Sequence, residues 1–228
     1  MTKIKTGLYF QDPEYQVGRN ITDPSLVLNL PLYDLDGAAF MSKDAYGHLC
    51  TNFGSVWTLH GRSLDGVDDF IQTPASPAFN FGTGDFTMEA WARPDVLVGD
   101  HRALITLSTP RRHLDLTLDN GGLSAAIYLE IAEVVQLSPP LSWVIGQWYH
   151  IAINRLAGVT RIFRDGIVVS SATNQAAAVS AGPGFYIGRF PTPSLHPWNG
   201  LIGEVHIYNR ALTPQENQRN YLATKWRY

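Results

Sequence analysis

A chain of 228 residues with 45% hydrophobic and 11% aromatic side chains can bury a sizeable core, and its 16% of charged residues is common in β-rich proteins. A formal net charge of −3 with scattered basic residues excludes the electrostatic footprint of a nucleic-acid binder. One cysteine, Cys50, excludes an intrachain disulfide and a thiolate metal cluster, and it reads as a small buried hydrophobe.

Residues 1–25 carry Pro13, Gly18 and Pro24 with mixed charge and no sustained period, which reads as an arm or linker ahead of one domain over 26–228. The start, MTKIKTGLYFQDPEYQVG, lacks the apolar stretch of a signal peptide, and no run of about 18 apolar residues predicts a membrane span. Ser25 to Leu32 predicts the first core strand, with Leu26, Leu28 and Leu30 on one face and Pro31 at its edge or end. From Tyr33 to Trp57 the apolar Phe40, Met41, Leu49, Cys50, Phe53 and Trp57 predict a packed insertion. Asp34-Leu35-Asp36-Gly37 opens like a calcium loop but lacks the later acidic residue that an EF-hand requires.

Asp65-Gly66 supplies turn chemistry, Phe70–Thr73 a short strand, and Phe86–Ala92 a strand of period two. Beyond Ala103, short apolar segments alternate with Gly, Pro, Asn and Asp turns, a spacing that predicts an all-β, antiparallel two-sheet sandwich. Asp119-Asn120-Gly121-Gly122 and Asp165-Gly166 carry the strongest hairpin signals. Thr213-Pro214-Gln215-Glu216 is a helix cap with proline at the first helical position, so a short C-terminal helix runs from there to about Thr224.

Three stretches in order, LDGVDDFIQTPASPAFNFGTGDFTMEAWARP, GQWYHIAINR followed by RIFRDGIVVSSA, and GLIGEVHIYNRALTPQE, resemble the laminin-G-like jelly roll of the concanavalin A-like lectin/glucanase superfamily. The resemblance covers residues 26–226 and implies that the three strands within it share one concave sheet. Relatives often show a basic residue at the position of His206, which suits a structural pair with Glu89. They commonly hold a calcium ion on the convex side. In glucanase relatives one ligand comes from the last strand, where this chain has Gly203, so that side-chain ligand is missing.

Strand alternation sorts the side chains onto two faces. Phe86, Met88, Ala90 and Ala92 face the core in the first strand, Tyr149, Ile151 and Ile153 in the second, and Leu201, Val205 and Ile207 in the third. The opposite face then carries Glu89, Trp91, Trp148, His150, Asn154, Glu204 and His206, a polar and aromatic set that could stack on a sugar and bond its hydroxyls. Trp198, at the end of the proline-rich Pro191–Trp198 loop, joins it as a rim contact. The same residues also support a structural network in which Glu89 pairs with His206 or His150. Asp65, Asp68 and Asp69 are candidate calcium ligands, against a solvated turn braced by Asp65.

No E-x-D-x-x-E, H-E-x-x-H or G-x-S-x-G pattern occurs, so no catalytic residue is assigned and enzyme activity is not expected. The first functional reading is a non-catalytic module that recognises a glycan or protein surface, outside the cell or on a virion, without nucleic acid or membrane insertion. A structural subunit forming homo-oligomers or decorating a virion is the alternative, and a polysaccharide-active enzyme using Glu89 and Glu204 is third.

Overall fold

The computed structural model describes residues 23–97, 102–109, 112–118, 127–131, 134–139, 141–173, 178–179, 182, 184–191 and 196–228. Most of the proposed arm, the Asp119–Gly122 hairpin and part of the Pro191–Trp198 loop lie outside them. The strands in chain order are β1 (Leu26–Pro31), β2 (Ala39–Met41), β3 (Leu49–Phe53), β4 (Val56–Thr58), β5 (Gly61–Asp65), β6 (Phe70–Gln72), β7 (Phe86–Pro94), β8 (Arg102–Thr109), β9 (Arg112–Leu118), β10 (Ile127–Ile131), β11 (Val134–Leu137), β12 (Tyr149–Leu156), β13 (Val159–Arg164), β14 (Ile167–Ala172), β15 (Tyr186–Ile187) and β16 (Asn199–Tyr208). One helix, α1 (Pro214–Thr224), follows.

These strands make two antiparallel sheets, as the sequence predicted. The first runs β14-β13-β12-β7-β16-β5-β4, with β1 also paired to β16; the second runs β11-β10-β9-β8-β15-β6-β3-β2. The inner faces meet in one core that contains Leu28, Leu30, Phe86, Met88, Ile151, Ile153, Ile187 and Val205. Cys50 is fully buried there, and burial pushes its thiol up to about 12, so it stays protonated.

Local chemistry sets the connections. Asp165 and Gly166 sit at φ of 54° and 75°, the left-handed pair that a two-residue hairpin between β13 and β14 requires. At α1, the Thr213 hydroxyl accepts from the Glu216 amide while the Glu216 carboxylate accepts from the Thr213 amide, a reciprocal capping box.

Two expectations fail for identifiable reasons. The Tyr33–Trp57 segment is no packed insertion: it contributes β2 and β3 to one sheet and β4 to the other. Period-two alternation turns Phe40 and Cys50 inward but leaves Met41, Leu49, Phe53 and Trp57 exposed. In β16 the pairing with β7 slips between Ile202 and Val205, so Ile202 and not Leu201 joins the core ahead of Val205 and Ile207. A bulge adds one residue and reverses the alternation on its far side.

Candidate functional site

The outer face of the first sheet gathers the predicted polar set by register. His206 stands opposite Glu89 across β16 and β7, and His150 stands opposite Trp91 across β12 and β7. His206 Nδ1 lies 2.9 Å from Glu89 Oε1, and His150 Nε2 lies 3.7 Å from Glu89 Oε2. Tyr208 and Asn220 also donate to Glu89, the latter at 3.0 and 3.3 Å.

This face is covered by α1 and the C-terminal residues. Asn217, Asn220 and Thr224 are buried against it. Trp91 donates its indole N–H to Thr224 at 2.8 Å and stacks on Tyr221 and Tyr228 with ring centres 5.6 and 4.6 Å away. Trp148 packs beside Tyr228 at 4.6 Å. Asn154 donates to the Leu212 carbonyl, where the chain turns into the helix. Glu204 pairs with Arg227, whose guanidinium lies over Tyr33. Gly203 leaves room for the cap, since a Cβ there would collide with the Tyr228 ring.

Burial raises the pKa of Glu89, but the His206 hydrogen bond and the charges of His150 and His206 outweigh it and hold the carboxyl below its ordinary value. His206 loses protonation to burial and regains more from Glu89 and Glu204, against Arg227, so its pKa rises. His150 falls, because burial outweighs its attraction to Glu89. The buried Glu89 is therefore favoured as the anion and His206 as its protonated partner, whereas burial disfavours the protonated form of His150.

The sequence reading brought Glu89, Trp91, His150, Glu204 and His206 onto one face, where the structure puts them, but it missed what covers that face. Glu89, Trp91, His150, Asn154 and Glu204 are buried beneath the cap, Trp148 is half-buried, and Trp198 is packed into the core. None of the buried six offers a surface to a sugar as folded. The missed partners carried a signal: Asn217, Asn220, Tyr221 and Thr224 recur at the spacing of one helical face, a stripe of polar and aromatic residues where apolar ones are usual.

Away from the cap, Asp65, Asp68 and Asp69 each place a carboxylate oxygen within 4.8 Å of the others, with Asp69 buried. Burial and the charges of Asp65 and Asp68 raise the Asp69 pKa, despite a hydrogen bond from the Asp65 amide. A hard cation with oxygen ligands would relieve that repulsion, and the three residues could hold one. No helix among the described residues is long and apolar enough to cross a membrane.

The architecture recurs in solved structures of other proteins. The sialidase of Trypanosoma rangeli aligns at a TM-score of 0.71 and 18% identity, over 90% of this chain and 34% of that one. Domain 4 of AbnA, a GH43 extracellular arabinanase of Geobacillus stearothermophilus in complex with arabinotriose, aligns at 0.65 and 20% identity, over 87% of this chain and 98% of that domain. The binding domain of botulinum neurotoxin serotype G aligns at 0.67 and 14% identity, over 86% and 50%. At these identities the shared property is the fold, and the chain spans about a third of the length of the sialidases it matches.

Sialidases and an arabinanase domain recur among these structures, and this corrects the expectation of a chain without enzyme activity, serving only as a non-catalytic adhesion, virion or structural module. No curated protein sequence matches the chain. Residues 65–216 match the laminin-G family model described as the concanavalin A-like lectin/glucanases superfamily, and the chain belongs to that family.

Proposed function

We propose that the protein is a carbohydrate-active enzyme of the glycoside-processing kind, and that this jelly roll is where it holds its sugar. The observation that carries the reading is the end-to-end likeness to the arabinanase domain bound to arabinotriose, which spans nearly the whole of both chains. The recurrence of the fold within sialidases supports the same class of substrate. Glu89 and Glu204 take no part in hydrolysis in this reading: both are paired with protein groups beneath the cap, whereas glycoside cleavage needs two carboxyls flanking an accessible sugar.

The test is a panel of sialosides, arabinan and arabino-oligosaccharides, scored for released sugar and for retardation of the protein in gels containing each polymer. Turnover and retardation by one glycan class are expected. Neither, across the whole panel, would overturn the reading.

A further inference from the structure

A groove of about 510 Å³ opens at the rim of the sandwich, on the side where β1 enters and β16 ends, well within the 300–1,000 Å³ range of ligand pockets. Three separate segments line it. The β2–β3 loop gives Tyr46, the stretch before β7 gives Pro77, Asn80, Phe81 and Asp85, and the residue after β16 gives Asn209.

The groove is built before any ligand arrives. Asp44 accepts from the amides of Asn29, Tyr46 and Gly47 at 2.9, 2.9 and 3.1 Å, which fixes the loop that carries Tyr46. The Tyr46 ring is half exposed, with its inner face stacked on His48 at 5.6 Å and an interplanar angle of 6°. His48 is itself buried, set against Phe79 at 4.7 Å and bonded to the Val27 carbonyl. On the opposite wall, the buried Arg155 guanidinium donates to the carbonyls of Gly82 and Gly84 at 2.8 and 2.6 Å, which locks the turn carrying Asn80 and Asp85. Ser76 caps that turn by accepting from the Ala78 amide, and Asp85 Oδ1 accepts from the Ala157 amide at 2.8 Å. A rigid wall leaves little ordering entropy to lose on binding.

The chemistry on offer is one aromatic face, two primary amides on exposed residues and one carboxylate. An aromatic platform takes the apolar face of a pyranose or furanose ring, while amides and a carboxylate bond vicinal hydroxyls as donors and acceptors. Asp85 is the one charged residue that lines the groove, and the Arg155 guanidinium behind it is committed to backbone carbonyls and to the Asp85 charge. A carboxylated sugar would meet the Asp85 carboxylate and no cation among the lining residues.

We propose that this rim groove is a subsite for neutral oligosaccharides, with Tyr46 as the stacking platform and Asn80, Asp85 and Asn209 as hydroxyl partners. The proposal rests on the carbohydrate reading above and says where, and for which sugars, it applies. The full chain is titrated calorimetrically with arabinotriose, xylotriose and maltotriose, with sialyllactose as the charged comparison, and then the variants Tyr46→Ala, Asn80→Ala and Asp85→Asn are titrated. At least one neutral trisaccharide is expected to bind, weakened tenfold or more by Tyr46→Ala and several-fold by Asn80→Ala and Asp85→Asn, with unchanged thermal melting. A neutral sugar that binds all three variants as it binds the parent would overturn the groove while leaving the carbohydrate reading in place. Binding of sialyllactose alone would do the same. No binding by any probe, together with no turnover on the glycan panel, would remove both.

Discussion

Two polar and aromatic clusters in this molecule are built from similar residue types and end in opposite states. On the outer face of the first sheet, Glu89, His150, His206, Trp91 and Asn154 are covered by α1, and Glu89, His206, the Trp91 indole and the Asn154 amide nitrogen are bonded to protein groups, while His150 Nδ1 and Asn154 Oδ1 are buried without a hydrogen bond. At the rim, Tyr46, Asn80, Asp85 and Asn209 hold the same kinds of group around open space. Residue type therefore does not separate a ligand surface from a structural joint; coverage does. A buried carboxylate has to be paired and hydrogen-bonded, and for Glu89 β16 and the cap together supply that, whereas exposed amides have water in place of a partner.

The largest effect should come from removing the cap. Truncation after Thr213 would expose Trp91 and leave Glu89 without Asn220, and it should abolish a cooperative thermal transition and produce strong binding of an apolar dye. A truncated chain that melts like the parent would show that α1 is an ornament on a self-sufficient face. Next come single removals beneath the cap. Trp91→Ala should cost about 3–5 kcal/mol through lost packing. Glu89→Ala should cost about 3–5 kcal/mol, because it leaves the partly buried His206 and the buried Asn220 beside an empty place. Both are read from urea denaturation, and a cost below about 1 kcal/mol at either site would break the distinction between joint and rim.

How much of this was legible in the sequence follows the same line. Strand alternation sorted Glu89, Trp91, His150 and His206 to one side of their own strands, and the family resemblance supplied the shared sheet, where β12, β7 and β16 do pair as neighbours. It was not enough for Leu201, since the β16 bulge leaves no mark in composition. The cap was half legible: Thr213-Pro214 marked where the helix starts, but its buried stripe is Asn217, Asn220 and Thr224, which pattern reading assigns to solvent. The rim groove was illegible, because Tyr46, the Asn80–Asp85 stretch and Asn209 are far apart in the chain and meet only through the sheet topology.

A smaller, pH-dependent effect distinguishes the two histidines within the joint. The His206 pKa is raised above its ordinary 6.5, so its contribution to stability is complete below that value and is lost as pH rises through the folded value. Glu89 is lowered below 4.5, so its contribution is complete above 4.5 and is lost as pH falls through the folded value. The pair is therefore strongest between these two ordinary values, 4.5 and 6.5. His150 acts in the opposite sense: its pKa is lowered, and below pH 6.5 the unfolded chain takes up a proton that the folded one declines. The stability lost in His206→Gln should accordingly be larger at pH 5.5 than at pH 8.5. His150→Gln should cost less at pH 5.5 than at pH 8.5, and matching slopes for the two variants would mean that Glu89 does not discriminate between them. Independently of pH, Thr213→Ala removes the capping box and should cost about 1 kcal/mol of stability in the same denaturation assay.

The smallest effect on stability should fall at the rim, and it bears most directly on function. The Tyr46 ring is half exposed and its ring contact is with His48, whose bond to the Val27 carbonyl and contact with Phe79 do not involve it. Tyr46→Ala should change unfolding free energy by no more than about 0.5 kcal/mol, the range of surface substitutions that break no special feature. Asp44→Ala offers the contrast, because it frees three backbone amides at once and should loosen the loop that aims the ring. If Tyr46 is a platform held ready for a ligand, Asp44→Ala lowers sugar affinity through a residue that does not line the groove, whereas Tyr46→Ala lowers it with the fold intact. A stability loss of 2 kcal/mol or more at Tyr46, on the scale of a buried aromatic, would instead make the rim ring part of the scaffold and erase the difference between the two clusters.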